Sequence, residues 1–410
     1  MNVPNTLKFT GKDSSIKGLE KIKLLRRLSS FKSDIIQKLE GKDHLEGKVP
    51  NLLIGDYGYP NVNAGFLSTD EYKTNDSPKE WVLNPTEFDL AKIIQLRSSL
   101  INSKTNVSVK TKSSQFSDKL KEISLSIKPV DADVSFDKKV HFNLSMNADL
   151  LPHGPSTILK NLKITENPKI PTAVEKIESD IDFKANSAIL ELYKKKFDEH
   201  YLTKILSAGN LGTKLQRKIV PTKWAITAVD DTVGKDILST IINAEAHPLS
   251  VFFGGYMGNY YFIIVFPGPW SFELFETYVG PGLSDPSNFE SSHDYEGSFG
   301  RKDYASETVG GYYASRLAIL EYLQKMRMIG RVLVLRFITD EYWAPLGVWV
   351  VREASRNALT SSKIEFESEE LLYKYAEILL KKRFNIDFRA FLRKSNIYIL
   401  MKSQKTLFSF

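Results

Sequence analysis

The sequence predicts an α+β fold, with mixed sheets packed against helices and no regular doubly wound pattern. Two observations carry this expectation. Between 122 and 146 the string EISLSIKPVDADVSFDKKVHFNLSM alternates apolar and polar residues, with Val134, Phe136, Val140, Phe142 and Leu144 largely in step, as in a sheet with one wet face. Farther along, short apolar runs such as YYFIIVF at 260–266 and VLVL at 332–335 are interspersed with helical spacings that follow no βαβ period. The chain has 410 residues, 42% hydrophobic and 26% charged, enough for one large core or two.

In chain order, 14–41 reads as a basic helix, with Ile22, Leu25 and Leu28 spaced for one face and Arg26 and Arg27 off it. The string GKDHLEGKVP then breaks the pattern with two glycines and a proline, and 51–67 reads as strand and turn. A helix over 84–101 is expected behind Asn84 and Pro85 as cap and first-turn residue. After LLPHGPS at 150–156, helical spacing at 186–206 precedes strands at 225–230, 249–254, 260–266 and 270–278. A helix at 311–329, a strand at 331–338 and helices near 347–358 and 367–383 complete the reading. The expected domains are a basic segment 1–45, an α/β region 46–156, an α+β domain 157–403 and a tail 404–410.

Composition excludes several chemistries. Without cysteine the chain has no disulfide, thiolate zinc site, iron–sulfur cluster or cysteine nucleophile. Six scattered histidines offer no closely spaced metal pair, so oxygen ligands are the expected holders of any cation, with Mg or Mn as the candidates. The apolar runs fall far short of the roughly 18–20 residues of a membrane span, and the start MNVPNTLKFTGKD has no apolar core. A cytoplasmic protein without membrane partners is the expectation. The formal net charge is +7, and the excess lies at the ends: 8–42 holds ten Lys or Arg against four Asp or Glu, and 381–405 holds eight against one. Basic ends on an acidic body suggest contact with a polyanion such as DNA, or else solvated helix faces.

Three polar stretches stand out. In QRKIVPTKWAITAVDDTVGK (216–235), Arg217, Lys218 and Lys223 lead through an expected strand to Asp230 and Asp231. Adjacent carboxylates at a strand end suit a divalent ion and the cations suit phosphate; the alternative is an acidic turn capped by Asp231. In HDYEGSFGRKDYASETVGGYYASRLAILEYL (293–323), Thr308, Gly310 and Gly311 precede a helix whose free N–H groups suit an anion. Tyr312 and Arg316 share one helix face, and Asp294, Arg301, Lys302 and Tyr304 lie in the loop before it. No GxxxxGK[ST] or GxGxxG is present, so a tight turn is the alternative. Third, Trp270, Phe272, Trp343 and Trp349 offer rings that either stack on bases or fill a core.

Long strings in fixed order carry a resemblance: IGDYGYPNVNAGFL, LRSSL, QRKIVPTKWAITAVDDTV, GNYYFIIVFPGPWSFELFE, DYEGSFGRKDYASETVGGYYASRLAILEYL and YWAPLGVWVVREASRNA. They resemble the archaeal Nre proteins, a family associated with DNA repair, over most of the chain. The resemblance implies work on damaged DNA and binding to the DNA sliding clamp (PCNA) through a C-terminal peptide, without implying an established reaction. Many such proteins carry a four-cysteine, zinc-finger-like segment near the N-terminus, which a chain with no cysteine lacks. QKTLFSF at 404–410 resembles the clamp-binding peptide: Gln404, Leu407 and Phe410 fill its pattern and Phe408 adds an apolar ring, while the second aromatic is missing. Leu407 and Phe410, three apart, fall on one side of a tight helical turn and enter one pocket together. For the body two readings stay open: an enzyme on a nucleotide or nucleic-acid phosphate, or a non-catalytic adaptor binding DNA and protein.

Overall fold

The computed structural model describes residues 32–71, 76–110, 114–280 and 289–403. These divide into two compact units, one running to Val233 and taking in Ala344–Val348, the other holding Gly234–Trp343 and the chain from Trp349. Helices and mixed sheets make both, as the α+β expectation requires.

The first unit is built on a closed five-stranded barrel in the order β1-β2-β3-β5-β4, from β1 (His44–Ile54), β2 (Asn61–Thr69), β3 (Ile101–Ser108), β4 (Val130–Phe136) and β5 (Ser156–Ile164). Its pairs are antiparallel except β3 with β5, which run parallel. Alternation along the strands sends Leu45, Val49, Val62, Ala64, Phe66, Val130, Ala132 and Val134 inward. Helix α1 (Lys32–Leu39) is the described part of the expected basic helix, and adds Ile35 and Leu39 to this core; residues 14–31 of that expectation lie outside the described residues.

The helix expected over 84–101 is two. Asn84 closes α2 (Pro78–Leu83), donating its N–H to Glu80 and Trp81, while α3 (Leu90–Ser98) starts behind Asp89, whose carboxylate accepts from Lys92 N. Between β3 and β4, α4 (Gln115–Leu125), capped by the Ser114 side chain, packs Leu120 and Ile123 into the barrel core. The alternation expected over 122–146 therefore holds only for β4: its beginning is helix and Ser145 makes an isolated bridge to His153. Helices α5 (Thr172–Ser179), α6 (Ala185–Lys194) and α7 (Glu199–Ser207) follow. A seam at 150–156 would sever β5 from the barrel it completes.

The largest correction concerns 225–230, expected as a strand. It belongs to α8 (Thr222–Ile241), which starts in the first unit and ends in the second. The β-branched content favours a strand, but Ala225, Val229, Val233, Ile237 and Ile241 recur every fourth residue and are all buried.

The second unit centres on a six-stranded sheet, β10-β9-β12-β8-β7-β13, with β7 (Ser250–Tyr256), β8 (Asn259–Phe266), β9 (Ser271–Val279), β10 (Ser291–Glu296), β12 (Arg331–Thr339) and β13 (Ile364–Glu365). The short β6 (Glu245–Ala246) and β11 (Met328–Ile329) pair separately. One face packs on α11 (Glu369–Phe384), α12 (Phe388–Lys394) and α13 (Asn396–Ser403) through Phe262, Phe275, Leu335, Phe337, Leu380 and Phe391. Helices α9 (Val309–Met326) and α10 (Trp349–Thr360) belong to the other face. Helices on both faces explain why the central strands read as continuous apolar runs.

Candidate nucleic-acid interface

In the second unit the expected residues Arg301, Tyr304, Tyr312 and Arg316 gather at the start of α9, each already engaged. Arg301 Nη1 stands 3.0 Å from Asp294 Oδ1 and donates to the Tyr295 carbonyl, Nη2 donates to that of Tyr304, and the guanidinium lies 5.2 Å from the Tyr312 ring centre. Arg316, buried, donates to Glu296 Oε1 at 2.6 Å, and Trp270 Nε1 donates to the same oxygen at 2.7 Å. Tyr304 stacks on Tyr313, whereas Lys302 is exposed.

The anion expected at this helix start is supplied by the protein itself. Asp294 Oδ2 accepts from Glu307 N at 3.0 Å, Thr308 N at 2.7 Å and Thr308 Oγ1 at 2.9 Å. Glu276 approaches the first turn so closely that a Cβ on Gly311 would stand 2.7 Å from its Oε1, and it pairs with Arg336 at 2.5 Å. Carboxylates at a helix N-terminus are stabilised by the aligned peptide dipoles. The core reading of the aromatics holds for Trp270, Phe272 and Trp349, which are buried, while Trp343 is half-buried.

In the first unit, Arg217 ties its own loop: it donates to the Gly212 and Asp180 carbonyls and pairs with Glu178 at 3.2 Å. Lys218 is exposed, and Lys223 pairs with Asp149 at 2.6 Å. Asp230 and Asp231 stand within α8 rather than at a strand end. Successive helical residues point about 100° apart, so the two do not converge on one ion, and Asp230 is buried where Asp231 is not. Among the described residues no group of three or more His, Asp or Glu gathers in a way that could hold a metal.

The same unit displays aromatic groups that the sequence reading passed over. The β1–β2 connection, GDYGYP, leaves Tyr57 91% and Tyr59 52% exposed, and Trp224, 43% exposed, meets Tyr59 at a ring separation of 5.0 Å. The loop is tied at both ends: Tyr59 N donates to the Asp56 carbonyl, Asn61 N to that of Gly58 and Val109 N to that of Pro60. Gly58 has φ +83°, and a Cβ there would stand 2.8 Å from the Asn61 oxygen, so glycine is required. Ile54 N donates to Thr222 Oγ1 at 3.0 Å, which brings the beginning of α8 against this end of the barrel. The available signal was two tyrosines alternating with turn-forming glycines between strands.

A closed barrel and a layered α/β sheet joined in one chain define a two-unit α+β protein. Its membership follows from comparison: the model of the archaeal Nre N-terminal region matches residues 16–283 and that of the C-terminal region residues 296–410, so the chain belongs to the archaeal Nre family. It is 32% identical to the DNA repair protein NreA of Haloferax volcanii over 84% of this chain and 85% of that protein. It is 36% identical to the DNA repair protein NreA of Archaeoglobus fulgidus, covering 79% and 82%, and 35% identical to NreB of the same organism, covering 90% and 92%. No solved structure matches. No helix among the described residues is long and apolar enough to cross a membrane. The tail Gln404, Leu407, Phe408 and Phe410 lies outside the described residues.

Proposed function

We propose that this chain is a DNA-repair protein recruited to a sliding clamp through residues 404–410. The observation that carries the repair role is the run of relatives named DNA repair proteins along most of the chain. Clamp recruitment is supported by the pattern of Gln404, Leu407 and Phe410, with Phe408 beside them. Two apolar side chains three residues apart enter one pocket from a single helical turn, and ordering seven residues costs about 1–2 kcal/mol each, so micromolar-class affinity is expected. Titration calorimetry against the purified clamp tests it: Leu407→Ala with Phe410→Ala abolishes the heat of binding, and undiminished binding removes the tail from the account.

In this reading the exposed cations Lys218 in the first unit and Lys302, near exposed Tyr304, in the second are the ones that reach nucleic-acid or nucleotide phosphate, while Arg217, Lys223, Arg301 and Arg316 are held by carboxylates and Tyr312 is buried. The adaptor reading has an observation in its favour: Arg301 and Arg316 already face Asp294 and Glu296, so a phosphate has to compete with a protein carboxylate for each.

A further inference from the structure

We infer that the barrel of the first unit binds single-stranded DNA, with bases stacked on Tyr57, Tyr59 and Trp224 and the backbone running over the outer surface of β2 and β3. The choice of DNA rests on the proposed repair role; the choice of a single strand rests on the barrel.

Three observations converge. First, the strand order β1-β2-β3-β5-β4, the parallel β3–β5 pair and the helix α4 between β3 and β4 make a five-stranded Greek-key barrel of the kind that takes oligonucleotides or oligosaccharides across β2 and β3, between the β1–β2 and β4–β5 loops. Second, the three exposed rings sit at that place. Tyr57 and Tyr59 lie in the β1–β2 loop, Trp224 meets Tyr59 with the rings tilted by 50°, and Lys223 beside it is ion-paired to Asp149 of the β4–β5 connection. Both loops therefore meet the start of α8. Third, the strand surface next to the loop is polar. The register places Asn61 opposite Ser108, Asn63 opposite Asn106 and Gly65 opposite Lys104 on the outside, while Val62, Ala64 and Phe66 point inward.

The chemistry selects the ligand. A tyrosine 91% exposed gains nothing for the fold, whereas unstacked bases in a single strand present π-faces at no unpairing cost. Duplex DNA hides those faces, so a stacking platform discriminates against it. Asparagines hydrogen-bond to base edges or sugars, and Lys104 and Lys110 are the nearby cations; Val109 N bonded to the Pro60 carbonyl sets Lys110 beside the loop. Asp56 on the same loop opposes phosphate, so stacking rather than charge has to dominate. Two phosphate contacts correspond to a slope of log affinity against log salt of about −1.4.

Fluorescence anisotropy of the full chain with a labelled oligothymidylate of about twelve nucleotides, within the site size of one such barrel, tests the inference. Tyr57→Ala is expected to weaken binding roughly 5- to 150-fold, and Trp224→Ala similarly, with the melting temperature of Tyr57→Ala unchanged. Duplex of equal length is expected to bind more weakly than the single strand. Equal affinity of wild type and a Tyr57→Ala, Tyr59→Ala variant overturns the inference, as does tighter binding of duplex, of RNA of matching length or of an oligosaccharide. Because the tail is untouched, clamp calorimetry on that double variant separates this outcome from a failure of clamp recruitment.

Discussion

The two units use aromatic and charged residues in opposite ways. In the sheet unit Trp270, Phe272 and Tyr312 are buried, and Arg301, Arg316 and Arg336 each face a carboxylate on the α9 side of the sheet. In the barrel unit Tyr57 and Tyr59 stand at the surface on a loop held by backbone hydrogen bonds, with exposed Trp224 of α8 in ring contact with Tyr59. A group with its partners inside the fold stabilises that fold, while a rigidly held group facing solvent is available to a ligand. Abundance of Arg, Trp and Tyr therefore does not locate a binding face; the direction of the side chains does.

The comparison can be broken by substitution, and the largest effect belongs to the sheet unit. Arg316→Met leaves Glu296 buried without its guanidinium and is expected to cost about 3–5 kcal/mol of unfolding free energy, read by denaturant titration. A loss below about 1 kcal/mol would mean that Glu296 is satisfied in another way.

A slightly smaller effect concerns pH in the barrel unit. His153 is buried and its imidazole is pushed down to about 4, chiefly by burial, with Arg97 and Lys104 adding repulsion and the Gly154 carbonyl opposing it. The unfolded chain binds a proton near pH 6.5 that the folded chain refuses, so the stability is fully present above 6.5 and is lost as pH falls toward 4. The loss approaches about 3 kcal/mol across that window. His153→Gln should flatten this part of the stability–pH curve, and an unchanged curve would assign the loss to other groups.

Smaller again, Gly58→Ala forces a Cβ onto a backbone at φ +83° and toward the Asn61 oxygen. About 1–2 kcal/mol of destabilisation is expected from thermal melts. The smallest effect is that of Tyr57→Ala, within about 0.5 kcal/mol of the wild-type stability. A large drop there would place Tyr57 among the residues that hold the fold together and weaken the contrast between the units.

How much of this was legible in the sequence depends on the range of the interaction. Strands buried on both faces, such as Tyr260–Phe266 and Val332–Ile338, announced themselves as apolar runs because helices cover both sides. The α8 segment did not, since its β-branched residues outweighed a four-residue spacing that only tertiary packing rewards. Closure of the barrel depends on pairing Asn102–Lys104 with Ser156–Ile158, a long-range register with no local signature. The residue types at the α9 start were recognised, but not that Asp294 and Glu276 take the anion's place, because neither is adjacent to the helix in sequence. Tyr57 and Tyr59 fall within the string IGDYGYPNVNAGFL, yet their exposure is a property of the folded loop alone.

Amide hydrogen exchange of the full chain, with and without saturating oligothymidylate, tests the central claim most directly, because it reads both units in one experiment. The account predicts slowed exchange at 55–63 and 104–110 on the barrel, with the sheet strands at 259–266 and 331–339 unchanged. Protection confined to 291–316, with none at 55–63, would contradict it and move the nucleic-acid interface to the paired arginines of the second unit.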